Sequence, residues 1–301
     1  FALDAIEAWL AARRANHGDR AHRWPTLNAP HAVDALNLVK LRRPNKDLPE
    51  LFVGPEHERR EREGFALTDR RMPPREIEAQ VDYCLYCHDR DKDSCSKGMH
   101  EAKTGALHSP DGGTRSPTRF KKNPLGVELA GCPLGEKISE MHLMRKDGDV
   151  LASLALVAID NPMMPGTGHR ICNDCMKACV FQKQEPVNIP EVETSVLTDV
   201  LGLPFGFEIY GFMTRWNPLN IDRPYSKPYN GKNVLVVGLG PAGYTLAHHL
   251  TAEGFAVAAV DGLKIEPLPK ELTGDETHAP RPIRDFKKLY EELDERILLG
   301  F

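Results

Sequence analysis

Apolar positions fall into three regimes along the chain. Near the start Ala2, Ile6 and Leu10 recur at helical spacing, which predicts a short amphipathic helix with its polar residues outward. The rest of residues 1–80 is rich in charge and proline, and the run EHERRERE from Glu56 to Glu63 alternates sign as a solvated helix face does. Residues 81–216 carry further helical patterns, notably Val150 to Ile159 and the stretch after Pro190, where proline takes a favoured first helical position. Residues 217–231, NPLNIDRPYSKPYNG, hold three prolines and end in Asn230-Gly231, so they read as a linker. A strand (Val234 to Val237), a glycine-rich turn, a helix (Pro241 to Glu253) and a second strand (Phe255 to Val260) follow. A proline-rich loop then leads to a charged helix over about Arg284 to Leu298.

Composition narrows the class. The 301 residues are 41% hydrophobic and 27% charged, the profile of a globular protein, with neither repeats nor low-complexity tracts. A formal charge of -4 argues against nucleic acid as the main partner. The basic run Arg115, Arg119, Lys121, Lys122 lies in a Gly/Ser/Pro context and reads as a solvated loop. The ten residues of Val150 to Ile159 are about half of what a bilayer requires, so no segment is expected to span a membrane. The start at Phe1 and the abrupt end at Phe301 suggest a piece of something longer.

All seven cysteines, Cys84, Cys87, Cys95, Cys132, Cys172, Cys175 and Cys179, fall between positions 84 and 179. An odd number without an export signal points to metal chemistry or catalysis in a reducing, cytoplasmic compartment rather than to a disulfide framework. Cys84-x2-Cys87 and Cys172-x2-Cys175-x3-Cys179 have the close spacing that lets a loop wrap thiolates around a metal centre. Cys132-Pro133 matches the end of bacterial ferredoxin runs, where the last cysteine serves the other cluster, so two clusters are implied. Zinc on four thiolates is the alternative, and it leaves Cys95, Cys132 and Cys179 unexplained.

Between the two strands, Gly238, Gly240 and Gly243 form G-x-G-x-x-G, with Pro241 and Ala242 inside it and Asp261 at the end of the second strand. The first glycine serves a tight turn, the second the approach of a pyrophosphate and the third close helix packing. Asp261 is placed to accept from adenosine ribose hydroxyls, which favours FAD or NAD over NADP at this site. The run GPAG resembles the FAD-binding start of glutathione-reductase-like flavoproteins and tips the expectation to FAD.

Taken together, Cys84, Cys87, Cys95, GCPLGEKI at 131–138, NPMMPGTGHRIC at 161–172, Cys175, Cys179, PVNIPEVE at 186–193 and VVGLGPAG at 236–243 resemble the iron-sulfur and flavin half of the glutamate synthase small subunit family, shared with the N-terminal part of dihydropyrimidine dehydrogenase. The resemblance covers about residues 80–262. It implies two [4Fe-4S] clusters, one held by Cys84, Cys87, Cys95 and Cys179, the other by Cys132, Cys172, Cys175 and a non-cysteine ligand at Glu193. An ordinary helix carboxylate is the competing reading of Glu193, and Gln182 and Gln184 are lesser substitutes. His88 and His169 are read as hydrogen-bonding or surface residues, Arg170 as a cationic neighbour of a cluster, and Met141, Met144, Met163, Met164 and Met176 as packing.

Two departures stand out. The family keeps the third and fourth cysteines a few residues apart, whereas 36 residues separate Cys95 from Cys132. A tenfold longer loop costs only about 2 kcal/mol, against roughly 10 kcal/mol from metal-thiolate ligation. The insertion at 96–131 is expected to form a partner-facing lobe. The chain also ends before the nicotinamide-nucleotide domain of the family, so the sheet is expected to be completed by further sequence or by another chain.

The expected architecture is a mixed one. A helical N-terminal extension (1–80) precedes an alpha-helical ferredoxin-like domain with both clusters (81–216), the linker (217–231) and the start of an α/β Rossmann-type FAD domain (232–301). The expected activity is electron transfer between NAD(P)H, FAD and the clusters, toward a redox partner or catalytic subunit. A dihydropyrimidine-dehydrogenase-like reductase part and a zinc-stapled interaction module are the rivals.

Overall fold

The computed structural model describes residues 5–6, 34, 41–54, 71–101, 120–168, 172–262 and 270–284. The residues Ala2 and Leu10, the EHERRERE run, His169, Arg170, Arg115, Arg119 and positions 285–298 of the charged C-terminal helix lie outside them. Ala5 and Ile6 are helical, and Ile6 is exposed.

Four proline-led helices carry much of the architecture, because proline at the first turn costs no hydrogen bond and presets φ. These are α1 (Pro74–Tyr83), α5 (Met164–Thr167), α7 (Ile189–Leu201) and α9 (Pro241–Ala252). Between them lie α2 (Ser94–Lys97), α3 (Ile138–Lys146), α4 (Val150–Asp160), α6 (Asp174–Lys177) and α8 (Gly206–Met213). The Asp149 carboxylate accepts from Ala152 N–H at 3.0 Å and caps α4.

The centre of the helical part is α7. Val192, Val196 and Val200 fall on one stripe at helical spacing and are fully buried, and α7 touches α1, α3, α4, α5 and α8. Each such side chain contributes about 1.5–3 kcal/mol by leaving water. β-branched residues are mediocre helix formers, so burial rather than propensity holds this helix. Arg145 of α3, almost fully buried, pairs with Glu78 of α1 at 3.1 Å and with Asp199 of α7, joining three helices by charge. Removing both partners would leave the guanidinium uncompensated.

The insertion closes on itself at its neck. Cys132 N–H donates to Cys95 C=O at 2.8 Å, and Met99 N–H to Leu129 C=O at 2.8 Å, so the two cysteines meet despite the 36 residues between them. Two further pairings, His100 with Phe120 and Lys122 with Glu128, extend the neck outward. Lys121 and Lys122 therefore belong to a paired stem, and the predicted loop is ordered at this end.

The parallel strands β1 (Asn233–Val237) and β2 (Ala256–Val260) pair from Asn233 with Ala256 to Val237 with Val260, joined by α9. A short helix, α10 (Lys270–Thr273), follows. Val236 is buried, whereas Leu235 and Val237 are exposed. The segment 217–231 differs from a free tether. Asn217 is buried and donates its amide to Ala155 C=O at 2.6 Å, while Lys227 and Asn230 N–H donate to Ala252 and Gly254 at 2.8 Å. Each end is fastened to the unit it adjoins because its asparagine and backbone donors find carbonyls there.

Gly131 makes the neck possible. Its φ is +77°, and a Cβ there would stand 2.6 Å from the Gly98 amide nitrogen and 2.9 Å from Ser94 C=O. Gly131→Ala is expected to lose about 1–3 kcal/mol in urea unfolding. Gly211→Ala, in open space on α8, should gain about 0.5–1 kcal/mol. Equal stability of the two variants would contradict the close approach.

Candidate metal centre

Cys84 ends α1, Cys87 opens a 3-10 turn after the left-handed Tyr86, Cys95 sits in α2 and Cys179 follows α6. These four line one small cavity of about 20 Å³, together with Ser139, His142 and Phe181. Cys132, Cys172, Cys175 and Glu193 line a second cavity of about 540 Å³, whose far wall is Pro241, Ala242, Thr245, Leu246 and His249 of α9. The structure thus sorts the seven cysteines and Glu193 into a group of four thiols and a group of three thiols with one carboxylate. Gln182 and Gln184 line neither cavity.

Burial dominates the electrostatics. It pushes the Cys84 thiol up to about 12 and Cys132 up to about 11, and it raises Cys87, Cys95, Cys175 and Cys179 as well. Neighbouring charge adds to this within each group. Cys179 raises Cys84, Cys87 and Cys95, while Cys132 and Glu193 raise Cys175. Opposing the trend, backbone N–H groups of Leu134, Gly135 and Glu136 point at the Cys132 sulfur, and those of Val180, Phe181 and Val187 at Cys179. Such nests of amides favour thiolate.

Glu193 lies beyond the first turn of α7, buried, with Asn161 Nδ2 donating to its Oε1 at 3.0 Å. Burial raises its pKa, and the carboxylate of Glu136 raises it further. A surface carboxylate serving the helix dipole does not describe that setting. His88 binds Ser139 Oγ through Nδ1 at 2.7 Å and meets Asp89 through Nε2. Met141 and Met164 are buried in the core.

Among the described residues no three His, Cys, Asp or Glu side chains stand close enough to hold a single metal ion. Four thiolates on one zinc at about 2.3 Å each would crowd within about 4 Å of one another. A cubane spreads its thiolates over four irons, so it demands a looser ring. In donor chemistry both groups fit such a cluster: soft sulfur ligands, joined by a carboxylate in the second group, amides aimed at Cys132 and Cys179, and burial that favours the uncharged form of six of the seven bare thiols. The first cavity holds room for about one water.

At the glycine turn, Gly238 has φ +93° and donates to Val260 C=O at 2.8 Å, and a side chain on Gly243 would overlap the Gly238 carbonyl. Gly240 caps α9, whose next residues are Pro241 and Ala242. Asp261 accepts from Leu239 N–H at 2.5 Å, so its carboxylate braces the glycine turn.

Two residues escaped the sequence reading. Glu136, within GCPLGEKI, is buried on the wall of the second cavity. His142 is fully buried on the wall of the first. The signal for His142 was present: Ile138, Met141, His142 and Arg145 repeat at i, i+3, i+4, i+7 and form the buried face of α3.

No known family profile matches the chain. It is 49% identical over 139 residues to the uncharacterized protein RP006 of Rickettsia prowazekii, covering 46% of this chain and 19% of that protein. It is 42% identical over 64 residues to RP005 of the same organism, covering 21% and 19%. With the glutamate synthase [NADPH] small chain of Mycobacterium tuberculosis it shares 30% over 132 residues, 44% of this chain and 24% of that one. The matches span about a fifth to a quarter of these relatives' length. They establish a distant similarity to an oxidoreductase subunit. No described helix is long and apolar enough to cross a membrane.

In metal-free protein, Cys172 is exposed and should alkylate first at pH 8. Because burial holds Cys84 and Cys132 protonated, their labelling should rise only near pH 12 and 11 respectively. Mass spectrometry after a brief iodoacetamide pulse reads this out. Cys84 labelled as fast as Cys172 at pH 8 would refute it.

Proposed function

We propose that this chain is an electron-transfer part of a flavin-dependent oxidoreductase, with an alpha-helical ferredoxin-like unit and the start of a Rossmann-type FAD unit. The observation that carries the reading is the partition of the cysteines: four thiols around one cavity, three thiols with the carboxylates of Glu136, Asp160 and Glu193 around another. When bound, [4Fe-4S] clusters take up and release single electrons, and FAD exchanges them for the hydride of NAD(P)H.

Cys84, Cys87, Cys95 and Cys179 would hold one cluster, and Cys132, Cys172, Cys175 and Glu193 the other. The amides aimed at Cys132 and Cys179 stabilise their thiolates. Ile138 and Ile189 line both cavities, so a buried aliphatic wall excludes water between the two groups. The turn at Gly238, Gly240 and Gly243, with the N-terminus of α9, offers amides to a pyrophosphate, and Asp261 lies beside it for a ribose. Because α9 also walls the second cavity, the dinucleotide unit and the second cysteine group share a boundary. The distant similarity to a glutamate synthase small chain supports the reading from a separate direction. Completion of the flavin and NAD(P)H sites by further sequence or another chain, and a redox partner or catalytic subunit, are parts of this proposal.

Anaerobic loading with iron and sulfide should give roughly eight irons and eight labile sulfides per chain and a brown chromophore. Cys84→Ser and Cys172→Ser should each lower the iron by about half, while the other cluster persists. Zinc without visible absorbance would contradict the proposal.

A further inference from the structure

His142 is a buried polar group with nothing to bind. It has no solvent exposure, and among the described residues neither Nδ1 nor Nε2 has a hydrogen-bond partner. It stands on the wall of the cavity that Cys84, Cys87, Cys95 and Cys179 line. A neutral imidazole always carries one N–H, and leaving a buried donor unpaired is expensive. Burial, and after it the charge of Arg145 one turn further along α3, disfavours a second proton on the ring. Sulfur atoms are the acceptors that this cavity gathers. Leucine would fill the same space without an orphaned donor, so packing alone does not account for the residue.

Resting on the reading above, we infer that His142 donates its ring N–H to the sulfurs of the cluster held by Cys84, Cys87, Cys95 and Cys179, and thereby raises the reduction potential of that cluster alone. Reduction adds one electron and one negative charge to the cluster; no bond breaks and no proton moves. The N–H dipole attracts the more negative state more strongly, which favours reduction. His142 lines the first cavity and not the second, so the second potential is unaffected. His142 is a positioning residue here and makes no bond to iron.

The test is an EPR-monitored redox titration of the iron-loaded chain. In His142→Leu, one cluster should need a more negative potential, with its reduced-to-oxidised ratio at fixed potential falling about tenfold, which is about 59 mV for one electron. The other cluster should titrate as in the unaltered protein, and His142→Gln, which restores an N–H, should recover part of the shift. Pulsed EPR of unaltered protein labelled with 15N-histidine supplies a second reading should the leucine variant fail to load. A weak nitrogen coupling, absent from His142→Gln, supports the hydrogen bond. Unshifted potentials in a His142→Leu protein bearing both clusters overturn this inference and spare the functional reading, as does the absence of nitrogen coupling or a strong coupling of the kind a bound imidazole gives. Unaltered protein that takes up no cluster overturns both.

Discussion

The arrangement depends on one backbone hydrogen bond, from Cys132 N–H to Cys95 C=O at 2.8 Å. Cys95 faces the first cavity and Cys132 the second, so this contact sets the two groups side by side. It can form because Gly98 and Gly131 adopt positive φ where the outgoing and returning chains nearly touch. Closing a long loop is entropically cheap in its logarithmic dependence on length, and the neck pairings beyond the contact repay part of that cost.

The second constraint is electrostatic. Six thiols and two carboxylates, Glu136 and Glu193, are buried or half-buried, and burial pushes every one of their pKa values up. Such a site resists ionisation until a cationic centre enters, and then its amide nests favour thiolate. The helical scaffold keeps these groups in place through α7, which carries Glu193 and packs on α1, α3, α4, α5 and α8, while α2 and α6 pack on each other.

Much of this was legible in the residues because it rests on local rules. The apolar run from Val150 to Ile159 marks α4, the proline at its first turn marks α7, and two apolar runs around a glycine turn mark β1, α9 and β2. The division of the cysteines into two groups came from the family resemblance, and the linings of the two cavities divide them in the same way. What stayed hidden depends on long-range geometry. The meeting of Cys95 and Cys132 is a backbone contact across the insertion, and no side-chain pattern encodes it. Asn217 fastens a segment whose prolines read as a linker, because its side-chain amide finds Ala155 C=O in α4. His142 was visible as a member of a buried face, but a reading centred on cysteines weighs histidines by their distance in sequence from a thiol. Glu136 was hidden the same way, inside a motif noted for its cysteine.

The central claim is that two metal centres occupy two distinct cavities divided by Ile138 and Ile189. Anomalous diffraction at the iron edge, from crystals of the anaerobically loaded protein, addresses it directly. Two compact iron peaks are expected, one ringed by Cys84, Cys87, Cys95 and Cys179, the other by Cys132, Cys172, Cys175 and Glu193. A single peak shared between the groups, or iron bound elsewhere on the chain, would contradict the account.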